Sequence, residues 1–310
     1  MRTKMKFFHH IILALILSAM VNHSAEAAVN KKFPTDGPVL DKKVKFWELI
    51  FNEYSTSQLV VHDLQSPDLI VAVLDNSKVK NQSAAVRIAP FSKLLKDFAV
   101  NGRIAQNMSP AHKKLWKTYS KDSAAKSRLL SGRVELRTQL GLSDTFHEAA
   151  LRAQLYLPRM EKIFKEHGLP TELTRLPFVE SMFNVKAVSK VGASGLWQLM
   201  PAAARDHIVV TRHKDERNSP IRATYAAAKI MKANYARLKN WPLAVTAYNH
   251  GANGIKRGVD KLGTDKLSDL ILSYRSPSFG FASQNFYASF VAAQRSYDKW
   301  QNKRLASAAH

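Results

Sequence analysis

Apolar residues return at three- and four-residue intervals through most of the chain, the spacing of helices that bury one face. In the leading part this rhythm predicts helices over 46–54, 91–106 and 111–119. The unbroken apolar run 69–74 reads equally well as a short strand. Asp144 stands where it would cap a helix through His147, Leu151 and Leu155, and Pro158 opens another that runs to Gly168. From Leu169 onward Gly192, Gly195, Pro201, Pro220, Pro242 and Gly251 cut the chain into short helical pieces. Ser219 and Pro220 give a cap and first position for a helix over 221–238, and Pro242 starts one that Gly251 can end. Alanines at 226, 227, 228, 233, 244 and 247 let backbones approach closely. One more helix, rich in aromatics, is expected over 281–300. The pattern predicts an all-α (mainly α) fold of short packed helices behind an N-terminal helical extension.

One polar residue breaks the pattern. Leu173, Leu176, Glu180 and Phe183 follow one another at helical intervals, so a continuous helix would put the Glu180 carboxylate on an apolar stripe. Burial without a partner disfavours the charged form and raises the pKa, which is what a general acid needs near neutral pH. Pro177 complicates this, because it must kink that helix or begin it. A capping or ion-paired glutamate is the competing reading.

Composition then narrows the setting. Residues 1–27 run from a basic start through an apolar stretch to Ala25, Glu26 and Ala27, an A-x-A cleavage pattern, and are read as a secretory signal peptide. The apolar stretch is too short to span a bilayer, and the chain has 0 cysteines, so neither a permanent membrane anchor nor a lipoprotein anchor is expected. The expected location is exported and periplasmic. The full chain carries 47 Lys+Arg against 24 Asp+Glu; losing residues 1–27 removes three cations and one anion, leaving +21. Such a balance favours polyanionic partners, and an exported protein meets wall carboxylates and anionic lipids before DNA; no nucleic-acid partner is expected. Excess lysine that only keeps the surface soluble is the alternative. The histidines show no metal-ligand spacing and no glycine-rich phosphate loop occurs, so no metal and no cofactor is expected.

The string ESMFNVKAVSKVGASGLWQLMP, from Glu180, followed by AYNHG, resembles the lysozyme-like catalytic domain of the soluble lytic transglycosylase family, closest to the membrane-bound lytic murein transglycosylase D branch. Fourteen positions match that family's motif without a gap: Glu180, Ser181, Phe183, Asn184, Ala187, Ser189, Gly192, Ala193, Gly195, Leu196, Trp197, Gln198, Met200 and Pro201. The likeness covers roughly 156–293, with weaker similarity upstream to about Arg137. It implies residues 140–310 as a lysozyme-like transglycosylase domain, behind an extension over 28–139 whose role stays open between a helical support, a docking surface for cell-wall protein partners and a cover over the sugar sites. Val185 stands where the family usually has proline, Ser219 where it often has aspartate and Asn253 where many relatives have glycine.

Carried over position by position, the resemblance makes Glu180 the catalytic glutamate, Ser189 the serine that orients it, and Tyr248 the tyrosine that hydrogen-bonds its carboxyl. Ser181, Asn184, Trp197, Gln198, Met200 and Asn249 are implied to line the sugar sites, with Tyr287 loosely aligned to a late tyrosine. Trp197 and Met200 read equally well as core residues. The implied activity is cleavage of the MurNAc–GlcNAc bond of peptidoglycan glycan strands without water, leaving a 1,6-anhydromuramoyl end. A two-carboxylate glycosidase would need a second acid about 5 to 9.5 Å away; Glu172 would stand roughly 12 Å along a continuous helix. A catalytically idle wall-binding scaffold and a hydrolytic lysozyme are the competing functions.

Overall fold

The structure is a computed structural model that describes residues 33–102 and 108–308; the expected leader over 1–27 and the last residues of the helix expected over 91–106 lie outside them. Helix α1, Pro38–Asn52, begins earlier than the apolar spacing suggests, because Pro38 already has the φ that a first helical position requires. It buries Leu40, Val44, Phe46, Ile50 and Phe51.

Three strands follow in the order β2–β1–β3: β1 is Gln58–Asp63, β2 Ile70–Asp75 and β3 Leu136–Leu140, all antiparallel neighbours. The sheet adds three short strands to an extension expected to be mainly helical. Strand β1 is buried on both faces and so lacks the alternation that marks a half-exposed strand, while β3 (LRTQL) is short and polar. Only the run 69–74 had carried a strand signal, and β2 fills it. The β1–β2 register shifts between Val61 and His62, so Val71 bulges.

The sheet separates two cores. Val60 belongs to the main one, whereas the next residue, Val61, packs with Val71, Leu95, Phe98, Leu115, Tyr119 and Leu129 in a smaller one. The smaller core lies under α3 (Ala84–Asn101), α4 (Pro110–Tyr119) and α5 (Ser123–Leu130); a single turn, α2 (Asn76–Val79), precedes them. The boundary expected at residues 139–140 coincides with the end of β3, yet α1, from the leading side of it, packs into the main core.

The main core gathers α6 (Ser143–Ala153), α7 (Leu157–Glu166), α8 (Leu176–Glu180), α9 (Pro201–Ala204), α10 (Pro220–Leu238), α11 (Trp241–His250), α12 (Ala252–Leu262) and α13 (Leu267–Ser273) around α14, Phe281–Ala308. Buried small residues on α14, among them Ser283, Ala288, Ser289, Ala292 and Ser296, let neighbouring helices come close. Helix α1 lies along it, with Trp47 Nε1 donating to Asn285 Oδ1 at 3.3 Å and Asn52 Nδ2 to Ser296 Oγ at 2.8 Å.

Candidate active site

Pro177 prevents one helix from running through 171–183. A 3-10 turn, Thr171–Arg175, leads instead into α8, which holds Pro177 in its first turn and ends at Glu180. Leu173, Leu176 and Phe183 are nevertheless all buried, so the stripe is achieved by a turn and a short helix. Phe178 anchors α8: its ring stacks on Phe146 at 4.7 Å and meets Phe183 edge-on at 4.6 Å and Tyr297 at 5.3 Å. Directly after Glu180 and Ser181 the backbone turns left-handed, with φ of 50° at Met182 and 55° at Phe183. Side chains with a Cβ seldom adopt that region, and such strain gathers at functional sites. Arg152 Nη2, donating to the Met182 carbonyl at 2.9 Å, and Phe183 N, donating to the Pro177 carbonyl at 3.1 Å, hold it.

Glu180 is half-buried and keeps part of its surface open. The protein packed around it still excludes enough water to push its carboxyl up to about 8, and desolvation is the whole cause. Among the described residues no hydrogen bond or ion pair satisfies it, and no second carboxylate or cation contributes to the shift. Val179 and Met182 pack beside it against the main core. Glu180 lines none of the described cavities of about 460, 520 and 480 Å³.

The segment 181–200 is irregular backbone tied by isolated bridges Val188–Ser194 and Ser194–Leu199. Ser181 Oγ donates to the Leu196 carbonyl at 2.8 Å, and Asn184, exposed, accepts from Lys186 N at 3.0 Å. Ser189 Oγ accepts from Ala193 N at 2.9 Å. Gln198, at φ 45°, turns its Nε2 back to the carbonyls of Ala187 (3.0 Å) and Gly195 (2.9 Å).

Sequence reasoning missed the clamp on this segment. Arg217, buried in the 3-10 turn Glu216–Asn218, donates through Nη1 to the carbonyls of Gly192 (2.7 Å) and Leu199 (2.9 Å), and its Nη2 pairs with Asp215 at 2.6 Å. Ser194 Oγ adds a bond to Asn218 Oδ1 at 2.8 Å. Gly195 makes the approach possible: a Cβ there would stand 2.0 Å from the Arg217 carbonyl oxygen, and its φ is +77°. Neighbouring Glu216 accepts from Val209 N and pairs with Lys214 and Arg222, which holds its carboxyl down at about 2. The available signal was the segment DERNSP itself, where an arginine sits among turn-forming residues.

Tyr248, on α11, lies near enough to Glu180 for that carboxylate to help burial push its phenol well above the ordinary range. Its hydroxyl donates to the Trp197 carbonyl at 3.0 Å, not to the Glu180 carboxyl that the resemblance implied. Asn249 is exposed and accepts from Ser283 Oγ at 2.9 Å; Met200 is exposed at the far end of the segment. Two expected sugar contacts lie in the core. Trp197, 0% exposed, stacks on Phe164 at 5.4 Å and 9° and donates to Thr224 Oγ1 at 2.9 Å. Tyr287, 1% exposed, donates to the Pro34 carbonyl at 2.9 Å, because its helix faces the chain leading into α1.

Residues 160–271 match the family model for the Transglycosylase SLT domain, a span that includes Glu180, the clamped segment and Tyr248. Over that span the chain is similar to the transglycosylase SLT domain. Over 115 residues, 36% of this chain, it is 34% identical to the membrane-bound lytic murein transglycosylase D of Escherichia coli (strain K12), 25% of which is covered. Over 150 residues, 43% of this chain, it is 30% identical to the membrane-bound lytic murein transglycosylase C of Haemophilus ducreyi, 40% of which is covered. The chain therefore spans between a quarter and two fifths of these curated relatives. Among solved structures, the soluble lytic transglycosylase of 70 kDa from Escherichia coli aligns at 14% identity with a TM-score of 0.40, covering 73% of this chain and 32% of that one. The match bears out the expected resemblance, and its region holds helices joined by irregular backbone, with no strand of the sheet among the described residues.

Proposed function

We propose that the chain is a peptidoglycan lytic transglycosylase that cleaves the MurNAc–GlcNAc β-1,4 bond with Glu180 as acid and then base. One observation carries the reading: within an SLT domain, Glu180 stands without a charged partner, and burial alone pushes its carboxyl to about 8. The protonated carboxyl gives its hydrogen to the bridging oxygen as the bond to the muramoyl anomeric carbon breaks. The carboxylate left behind then takes the proton of the muramoyl 6-hydroxyl as that oxygen attacks the same carbon. Atoms balance with no water consumed, and the product is a 1,6-anhydromuramoyl end. The substrate's own acetamido group stabilises the positive charge, which accords with the lack of any second carboxylate acting on Glu180. The open part of Glu180's surface suits a polymer that lies along the protein.

In this reading Ser189 and Gln198 shape the segment facing the glycan, and Tyr248 positions it through the Trp197 carbonyl. Ser181, Asn184, Met200 and Asn249 border the sugar sites. Residues 1–27 direct export to the periplasm, residues 28–139 present a surface to wall proteins, and residues 140–310 carry the chemistry. No helix among the described residues is long and apolar enough to cross a membrane. The deciding experiment digests purified sacculi with the wild type and with Glu180→Gln, and weighs the muropeptides. Anhydro ends, one water lighter than reducing ends, are expected from the wild type and none from the variant, which keeps its fold and its sacculus binding. Reducing ends, or full activity in the variant, would refute the proposal.

A further inference from the structure

A cavity of about 480 Å³ opens where the leading region meets the helices that follow the catalytic segment. Its walls come from α1, the β1–β2 connection, α5, α13, the chain leading into α14 and Gln284 of α14. Four cations line it, Lys42, Lys43, Arg128 and Arg275, against one carboxylate, Asp122. Lys42 pairs with Asp122, and Arg128 Nη2 donates to Asp63 Oδ2 and Ser66 Oγ, each at 3.1 Å. The Arg128 Nε is buried with no partner among the described residues. Asp68, whose carboxyl burial pushes up, stands close enough to act on Lys43 through space.

Two of the cations have no carboxylate in contact. Lys43 is 2% exposed, and its ammonium, with three hydrogens to place, reaches only Asn285 Oδ1 at a long 3.5 Å, an oxygen that already accepts from Trp47. Its pKa is lowered to about 8, chiefly by that burial. Arg275, also in the lining, is exposed, and its guanidinium donates to the carbonyls of Leu272 and Tyr274. A buried cation held so poorly destabilises the empty protein, and an incoming anion would relieve it. The remaining walls are largely apolar, with Pro38, Val39, Pro67 and Ile271. The volume falls in the range of small-molecule sites and exceeds several-fold what a bare inorganic ion fills.

We propose that this cavity binds a short peptide ending in a free carboxylate, with the carboxylate between Lys43 and Arg275 and the side chains against the apolar wall. Peptide stems of wall fragments are the source of such groups if the chain acts on peptidoglycan, and only that choice of source rests on the function proposed above. The site is separate from Glu180, which does not line the cavity.

Titration calorimetry with the full chain tests the site directly, using acetyl-Ala-Ala-Ala as the free acid, the same peptide as its C-terminal amide, and inorganic phosphate. The free acid is expected to bind, the amide and phosphate at least about tenfold more weakly. Lys43→Met and Arg275→Gln should each weaken the acid by about tenfold or more, whereas Glu180→Gln should bind it as the wild type does. Arg275 is exposed, so its variant folds even if Lys43→Met does not. The proposal fails if the acid does not bind, if the amide or phosphate binds as well, or if Arg275→Gln leaves binding unchanged. Because Glu180→Gln retains the site, failure here and failure of the proposed catalysis are told apart.

Discussion

Replacing Glu180 by glutamine removes a group that the folded chain prefers to keep protonated, so the substitution acts on stability as well as on the catalysis proposed for it. The folded carboxyl titrates near 8 against about 4.3 in an unfolded chain. Between those values the native state binds more protons, so stability falls as pH rises through that window and stays lower above it. Glu180→Gln should therefore match the wild type below about pH 4 and exceed it at pH 9, by on the order of 2 kcal/mol once partial exposure is allowed for. Urea denaturation at both pH values checks this, and equal stability at pH 9 would contradict it. If Glu180 is the acid as proposed, the same titration governs the alkaline limb: kcat/KM on soluble glycan is expected to decline as pH passes about 8, since the acid must start protonated. At Gly195 the constraint is steric. Ala there meets the Arg217 carbonyl at 2.0 Å in a left-handed backbone, and a loss of about 3 kcal/mol or more is expected in thermal unfolding.

The irregular segment 181–200 owes its shape to the turn at 215–218, so loosening that turn should loosen the segment. Lysine at Arg217 keeps the charge but cannot reach two carbonyls and Asp215 together. Arg217→Lys is expected to lower kcat with little change in sacculus binding, and to speed hydrogen exchange at residues 192–199; unchanged exchange would show the clamp to be idle. Much of the site could be read in advance. The helices over 220–238 and 241–250 follow from Pro220, Pro242 and Gly251, and the ungapped run from Glu180 to Pro201 carried the resemblance that the SLT family model matches over 160–271. What the residues hid has physical causes. Pro177, already marked in the sequence as a kink or a start, broke the continuous helix, although burial of Leu173, Leu176 and Phe183 survived the break. A clamp such as Arg217 acts through backbone carbonyls, which every residue possesses, so nothing in side-chain spacing reveals it. Trp197 and Tyr287 carry polar tips that suit a sugar or a buried carbonyl equally, and here the core took them. Strand β1 lacked alternation because both of its faces are covered.

Across the whole molecule the excess of positive charge, +23 over the full sequence, works at long range. Sacculus binding should weaken as salt rises from about 0.05 to about 0.5 M while the products stay the same, because screening shortens the reach of surface charge without touching a buried carboxyl. Sedimentation of sacculi with bound protein measures it, and binding indifferent to salt would show that surface charge does not supply the affinity. The placement of Val60 and Val61 in different cores has a consequence of its own. A strand slipped by one residue turns every side chain to the opposite side, so inserting or deleting a single residue in 58–63 would hand each core the other's valine. That one change is therefore expected to cost both cores stability at once.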